Sequence, residues 1–141
     1  MKKQYLLLSL MSVLVSGCTN VASDIVRNIE PTPLPHLEPS VLFSTASDFF
    51  AQAGYQCTAD ETFPIINCTK ELRDLYIHQT TAVVEISPGD EKAAEYILLS
   101  ERWDEGLIPG EFISGRFSNE DVASFCCYLR EEGRAVCRTS S

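Results

Sequence analysis

The chain has 141 residues, and its 11 Lys+Arg against 20 Asp+Glu give a formal net charge of −9. A chain this acidic is repelled by phosphate polymers and by anionic head groups, so neither nucleic acid nor a basic membrane-binding patch is expected. The length suits one domain with a single modest core.

The first residues have the organisation of an export signal. Met1-Lys2-Lys3 is a short basic segment, and an apolar run from Tyr5 to Val15 follows it. That run is too short to cross a bilayer core as a helix, which needs about 20 residues. The arrangement predicts a secretory signal peptide.

Val15-Ser16-Gly17-Cys18 resembles the lipobox of bacterial lipoproteins. In that family the cysteine thiol receives diacylglycerol, signal peptidase II cuts before the cysteine, and the new amino group is usually acylated too, with a fatty acid such as palmitate. The resemblance implies a signal peptide over residues 1–17 and lipid attachment at Cys18. Thr19 is not the Asp that retains enterobacterial lipoproteins in the inner membrane. The resemblance therefore implies anchoring in the outer membrane of a Gram-negative bacterium, on its periplasmic face.

Removing residues 1–17 leaves 9 basic and 20 acidic residues, a net charge of about −11. Five cysteines remain besides Cys18, namely Cys57, Cys68, Cys126, Cys127 and Cys137. Disulfides are expected in the oxidising compartment to which an exported domain is delivered. Five thiols form at most two bridges, so one thiol is left over.

Residues 18–40 are predicted to be a lipidated, proline-rich tether. Val21, Ile25 and Ile29 recur every four residues, which permits a short amphipathic helix. The prolines that follow favour an extended spacer, and residues 30–40 would reach about 30 Å at ~3.1 Å per residue. The alternative is that this segment packs on the surface of the domain.

The globular domain is predicted over residues 41–141, beginning with a helix. Ser44 or Thr45 is the expected N-cap, and the helix is expected to run to Ala53 and to end at Gly54.

Strand patterns dominate the middle of the chain. Two strands joined by a polar loop around residues 59–62 are expected within 55–70, and residues 75–87 are the most strand-like stretch. Ser87-Pro88-Gly89-Asp90 is a turn signal. Residues 91–103 are ambiguous: we expect the return strand of a hairpin at 96–99, and a helix is the alternative.

The C-terminal part is predicted to be strand, helix and strand. A strand is expected over 111–117, and Ser118 with Asp121 forms a capping box that opens a helix ending at Gly133. Residues 134–138 can return as a short strand. The whole pattern predicts an α+β domain with a mainly antiparallel sheet and flanking N-terminal and C-terminal helices, stapled by disulfides.

Two disulfides are predicted from this arrangement. Cys57 and Cys68 lie near the ends of a hairpin, and closing a loop of ~12 residues is worth about 3 kcal/mol in the chain-entropy account. Beyond the last helix the chain folds back along it, so we predict Cys126–Cys137. Cys127–Cys137 and bridges between the two units are open alternatives.

The leftover thiol, Cys127 or Cys126, has three interpretations. It is a small buried hydrophobe, a bridge to a partner or second copy, or a reactive thiol with positive charge supplied by Arg130, Arg134 and Arg138. No Cys-x-x-Cys redox motif is present.

No metal site, cofactor or catalytic residue is predicted. The cysteines lack the short Cys-x₂₋₄-Cys hook of zinc sites, and only His36 and His78 could add nitrogen ligands. His78 is also the one candidate base for Ser-His or Cys-His catalysis, and no nucleophile motif accompanies it. The acidic pairs Asp104-Glu105 and Glu131-Glu132 are interpreted as solvated faces.

Trp103 has two interpretations. It marks an interaction edge, since tryptophan is enriched at binding hot spots, or it is a partly buried core residue.

Taken together, these features suggest a non-enzymatic accessory or assembly factor of an envelope complex, with an envelope protein as partner. Secretion pilotins resemble this chain in size and layout only. Tyr55-Gln56-Cys57 and Ser114-Gly115 resemble the lipoprotein lysozyme inhibitors, so an inhibitor of a cationic enzyme such as lysozyme is one alternative. A thiol redox protein is another.

Overall fold

A mainly antiparallel sheet carries two helices on one of its faces. The computed structural model describes residues 18–33, 37–60, 62–75, 78–89, 95–107 and 115–140. Within these ranges the strands are β1 (Cys18–Ser23), β2 (Arg27–Pro31), β3 (Gln56–Ala59), β4 (Ile66–Leu75), β5 (His78–Pro88), β6 (Tyr96–Leu107) and β7 (Ala135–Thr139). The helices are α1 (Pro39–Gln52) and α2 (Glu120–Glu131). None of the described helices is long and apolar enough to span a bilayer.

Strand β6 organises the sheet, whose order is β3-β4-β5-β6-β2-β7. One edge of β6 pairs with β5 along most of its length. Its other edge is shared, because residues 96–98 pair with β2 and residues 101–107 pair with β1. The first two strands of the described chain therefore complete a sheet whose centre is formed about 70 residues later.

The core lies between the sheet and the helices. In β5, alternate residues are buried against the helices: Thr80, Ala82, Val84 and Ile86. Helix α2 contributes Val122, Phe125 and Leu129, whose spacing puts them on one helical face. The rings of Phe50 and Phe125 join the two helices with centroids 5.1 Å apart. Burying side chains of this size contributes about 1.5–3 kcal/mol each.

The predicted tether is wrong for the described residues. Strand β2 lies between β6 and β7, and its Ile29 is completely buried in the core. Val21 and Ile25 are exposed, so their four-residue spacing marks no helix. Pro39 is in the first turn of α1, where a proline without an N–H costs nothing. The folded domain thus includes residues 18–33 and does not begin at residue 41; residues 34–36 lie outside the described part.

Both helices begin at residues other than those predicted. Helix α1 starts at Pro39, so Ser44 and Thr45 lie inside it rather than at its N-cap. The N-cap of α2 is Asn119, not Ser118, because its Oδ1 accepts hydrogen bonds from the N–H groups of Asp121 and Val122 at 3.0 and 3.4 Å.

Both helices are followed by the predicted glycine. Gly54 and Gly133 have φ of +93° and +66°, a region that glycine adopts without steric cost.

The strand predictions are confirmed in the middle of the chain. β3 and β4 form the expected hairpin, and β6 contains the expected return strand at 96–99, which extends to Leu107. The helical alternative for 91–103 is wrong from Tyr96 onward, and residues 91–94 lie outside the described part. Of the strand predicted at 111–117, residues 111–114 are also outside it, and residues 115–117 are not a strand.

Both predicted disulfides are present. Cys57 and Cys68 are directly opposite each other on β3 and β4, and their sulfurs are 2.03 Å apart. Cys126 on α2 bridges to Cys137 on β7 with an S–S distance of 2.10 Å. The α+β class with an antiparallel, disulfide-stapled sheet is confirmed.

Candidate interaction surface on the outer face of the sheet

The side chains that point away from the helices form what we call the outer face of the sheet. On β1, β4, β5 and β6 they stay partly or fully exposed within the described residues. The strand register aligns them in rows across the sheet: Val21 beside Trp103 beside Thr81, Glu101 beside Val83, and Leu99 beside Glu85. On β2 and β7, Glu30 and Arg138 also point to this side and form an ion pair.

Trp103 lies on this face rather than in the core. Its exposed fraction is 39%, and that of its neighbour Val21 is 46%. The two side chains pair across β1 and β6. The interpretation of Trp103 as a core residue is therefore wrong, and its interpretation as part of an interaction surface stays a prediction.

A shallow groove of about 230 Å³ crosses the outer face next to Trp103. It is lined by Asn67, Val83, Glu85, Leu99, Glu101 and Trp103. The indole Nε1 of Trp103 donates a hydrogen bond of 2.9 Å to Oε2 of Glu101. This contact orients the indole ring along one wall of the groove and keeps the Glu101 carboxylate at its rim.

The outer face is acidic as well as apolar. Its strands β4, β5 and β6 carry the carboxylates of Glu71, Glu85, Glu101 and Glu105. Among the described residues, no lysine or arginine forms an ion pair with Glu85 or Glu101. Lys70 and Arg102 belong to the same strands but point to the helix side, where they bind Asp121 and Asp104.

Asp104 is buried beneath this face, contrary to the prediction of a solvated acidic pair. Its carboxylate accepts hydrogen bonds from Thr80 Oγ1 at 2.9 Å and from Arg102 Nε at 3.0 Å. Burial pushes the pKa of Asp104 upward, but these two hydrogen bonds and the guanidinium charge outweigh it, so the pKa is lowered. The ionised Asp104 thus holds Arg102 on the core side, away from the carboxylates of the outer face. Glu105 is exposed, and so are Glu131 and Glu132.

A second polar cluster fixes the start of α2. The hydroxyl of Tyr55 accepts from Asn119 Nδ2 at 3.0 Å and donates to Asp121 Oδ2 at 3.2 Å, and Lys70 Nζ lies 3.4 Å from the same carboxylate oxygen. Burial raises the pKa of Tyr55 to about 12. Because these groups satisfy one another, we assign the cluster to folding.

Cys127 is the free thiol among the described residues, and it is exposed. The interpretation of a buried small hydrophobe is therefore wrong for it. Arg130 Nη2 lies 3.9 Å from its sulfur. Arg134 instead binds Thr45 and Arg138 binds Glu30, so these two arginines supply no contact to the thiol.

The described residues contain no group of three or more His, Cys, Asp or Glu side chains placed to hold a metal ion. His78 begins β5 and pairs with Leu75 in the sheet register. His36 lies outside the described residues.

A larger groove of about 510 Å³ lies between the helices and β7. Thr45, Asp48, Phe49, Gln52, Tyr128 and Arg134 line it. Arg134 Nη1 donates to Thr45 Oγ1 at 3.1 Å, and the rings of Phe49 and Tyr128 are 5.6 Å apart. These side chains already contact one another, and one cation balances one anion. The outer face, where no described lysine or arginine pairs with Glu85 or Glu101, is the stronger candidate for binding.

Sequence reasoning singled out Trp103 but missed the other groove residues. The available signal was Tyr96-Ile97-Leu98-Leu99, a continuous apolar run in a strand. Because successive side chains of a strand alternate between faces, such a run puts apolar groups on both faces. A sheet covered by helices on one face alone then exposes half of them.

No protein-family model, curated protein sequence or solved structure matches this chain. We therefore infer function from the surfaces described above.

Proposed function

We propose that this chain is a non-enzymatic bacterial lipoprotein that holds a protein partner against the outer face of its sheet. It is anchored through Cys18 in the outer membrane, on the periplasmic side, and serves as an accessory or assembly factor of an envelope complex. Secretion pilotins are comparable in layout, though not in sequence.

The observation that carries this proposal is the exposed apolar cluster around Trp103. Contiguous exposed apolar groups rimmed by polar residues are typical of protein-binding surfaces. Trp103 and Val21 are exposed there, and Val83 and Leu99, which are partly buried, lie beside Trp103 in the groove. Tryptophan is among the residues most enriched at binding hot spots.

The lipid anchor supports the same function. A single acyl chain binds membranes only marginally at about 0.8 kcal/mol per buried CH₂, whereas two or three chains anchor stably. Strand β1 begins at Cys18, so no spacer separates the described fold from the lipidated residue. A partner on the outer face would be held close to the bilayer surface.

Site-specific photocrosslinking in living cells tests the proposal. A benzoylphenylalanine replaces Val21, which is exposed beside Trp103, and a matched variant carries it at Ala123, which is exposed on α2. We expect a light-dependent adduct with an envelope protein from position 21 and none from position 123. No adduct from position 21, or the same adducts from both positions, would contradict the proposal.

A second candidate function is inhibition of a cationic enzyme such as lysozyme. The carboxylates of Glu85 and Glu101, which pair with no cation in the described part of the chain, favour it because they complement a basic surface. Activity of lysozyme in the presence of excess purified domain is the test. Unchanged activity would eliminate this candidate and leave the envelope role standing.

A further inference from the structure

The groove next to Trp103 has a pattern that defines the chemistry of its occupant. Glu85 pairs with Leu99 across β5 and β6, and Val83 pairs with Glu101 in the next row. The two carboxylates therefore lie on one diagonal of a square and the two aliphatic side chains on the other. Diagonal neighbours on adjacent strands are about 7–8 Å apart, so one group can bridge both carboxylates.

We propose that the outer face recognises a cationic protein segment, with a lysine or arginine side chain seated between Glu85 and Glu101 against the ring of Trp103. Its aliphatic stem lies on Val83 and Leu99. This inference rests on the proposed function and names the chemistry of the partner.

The groove has the size for such a side chain. Its volume of about 230 Å³ is below the roughly 300–1,000 Å³ typical of pockets for drug-sized ligands. Lysine and arginine combine an apolar stem with a charged head, and the groove combines an aliphatic floor with an acidic rim. An indole ring is also the best aromatic partner for a cation.

The two carboxylates of the groove, those of Glu85 and Glu101, form no ion pair among the described residues. Glu101 accepts one hydrogen bond, from Trp103, and Glu85 has no hydrogen-bond or ion-pair partner among the described residues. Arg102, the cation next to Trp103 in sequence, is held on the opposite face by Asp104 at 3.0 Å. Lys70 and Arg102 thus lie on the helix side of β4 and β6, whereas Glu85 and Glu101 lie on the outer face.

The same charges disfavour other occupants. A second copy docked face to face would bring Glu85 and Glu101 against their counterparts, and the mature chain carries a net charge of about −11. Anionic head groups would meet the same repulsion. A basic segment is the occupant whose charge the face complements.

Fluorescence of Trp103 tests the inference, because it is the chain's only tryptophan. The mature lipidated chain in nonionic detergent is titrated with a blocked peptide of alternating arginine and leucine, and with a counterpart that has glutamate for arginine. We expect a saturable change in the fluorescence of Trp103 with the arginine peptide and no such change with the glutamate peptide. The double variant E85Q/E101Q should weaken that binding at least tenfold, and the matched variant E131Q/E132Q at the C-terminal end of α2 should weaken it less than twofold.

Three results would overturn the inference. They are equal binding of the glutamate peptide, equal weakening by both double variants, and no saturable change with the arginine peptide. A photo-adduct from position 21 at full yield in the E85Q/E101Q background would also overturn it. That last result would leave the proposed function standing. If the chain without the E85Q/E101Q substitutions binds the arginine peptide but gives no photo-adduct from position 21, the proposed function is rejected and the inference about the groove is not.

Discussion

Trp103 and Asp104 are neighbours in sequence, but they point to opposite faces of β6. Trp103 is on the outer face, where its exposure makes it available to a partner. Asp104 is on the core side and holds Arg102 there with a hydrogen bond of 3.0 Å. Alternation along one strand thus separates Trp103, which we propose contacts a partner, from Asp104, which stabilises the fold.

Replacing Asp104 should destabilise the fold in a pH-dependent way. D104N removes the negative charge that the guanidinium of Arg102 binds at 3.0 Å, so we expect the free energy of unfolding to fall by about 3 kcal/mol at neutral pH. Because the pKa of Asp104 is lowered in the fold, its contribution is present above the unfolded pKa of about 3.9 and is lost as pH falls through the folded pKa. Urea unfolding at neutral and acidic pH measures the difference in free energy of unfolding between the unsubstituted chain and D104N. This difference should become smaller in acid, and a constant difference would contradict the stabilising role of the ionised Asp104.

Tyr55 should make the fold sensitive to alkali. Its pKa is raised from 10.0 to about 12, so the unfolded chain loses this proton first. The contribution of the protonated Tyr55 to the free energy of unfolding is fully present below pH 10 and is lost as pH rises toward 12. At 1.36 kcal/mol per pKa unit, this loss amounts to roughly 2–3 kcal/mol. Urea unfolding of the unsubstituted chain and of Y55F across this range isolates the effect. An identical loss in both chains would show that other groups cause it.

Cys127 should react with an alkylating reagent in the native protein. Its thiol is exposed, whereas the bridges occupy Cys57, Cys68, Cys126 and Cys137. We expect one adduct per chain on the unlipidated domain from residue 19, by intact mass without denaturant, and none on C127S. An unmodified native chain would mean that this thiol is covered or bridged. The thiol redox function stays a prediction, and slow alkylation of Cys127 near pH 6 would rule it out.

At the scale of elements, the sequence predicts best where the partners are close along the chain. The hairpin of β3 and β4, the return strand in β6 and both disulfides join residues separated by short stretches; each bridge spans 11 positions. Helix α2 was predictable for the same reason, since its periodic apolar face and terminal glycine are local signals.

Strands β1 and β2 could not be predicted in this way. Each is short, and their pairing partner β6 begins about 70 residues later, so no local pattern shows the pairing. Val21, Ile25 and Ile29 have the four-residue spacing of a helix, but Val21 lies on β1, Ile25 lies in the connection and Ile29 lies on β2. Their spacing is therefore no sign of a helix. The prolines that follow strengthened the interpretation as a spacer.

The chain without β1 and β2 should fail to fold. A protein beginning at residue 37 keeps α1 but lacks β2, whose Ile29 is fully buried and whose backbone pairs with β6 and β7. Thermal unfolding followed by circular dichroism should show no cooperative transition for it. A protein beginning at residue 19, which keeps β2 and all of β1 except its first residue, should unfold cooperatively. Equal melting temperatures for the two would mean that the first strands are dispensable.

At the scale of the whole molecule, the two faces of the sheet carry different kinds of side chains. The helix side holds the core, both disulfide bridges and the buried polar clusters. The outer face presents apolar and acidic side chains together. The sequence revealed the net acidity and one tryptophan, but only the register of β5 and β6 shows that Glu85 and Glu101 share a groove with it.

NMR chemical-shift mapping locates the surface that binds the partner most directly. The ¹⁵N-labelled domain from residue 19 is titrated with the envelope protein recovered by photocrosslinking at position 21, and changes in amide resonances are assigned along the chain. We predict that they concentrate on β5 and β6, at Val83–Glu85 and Leu99–Trp103. Changes confined to the groove between the helices, around Thr45 and Arg134, would contradict binding at the outer face.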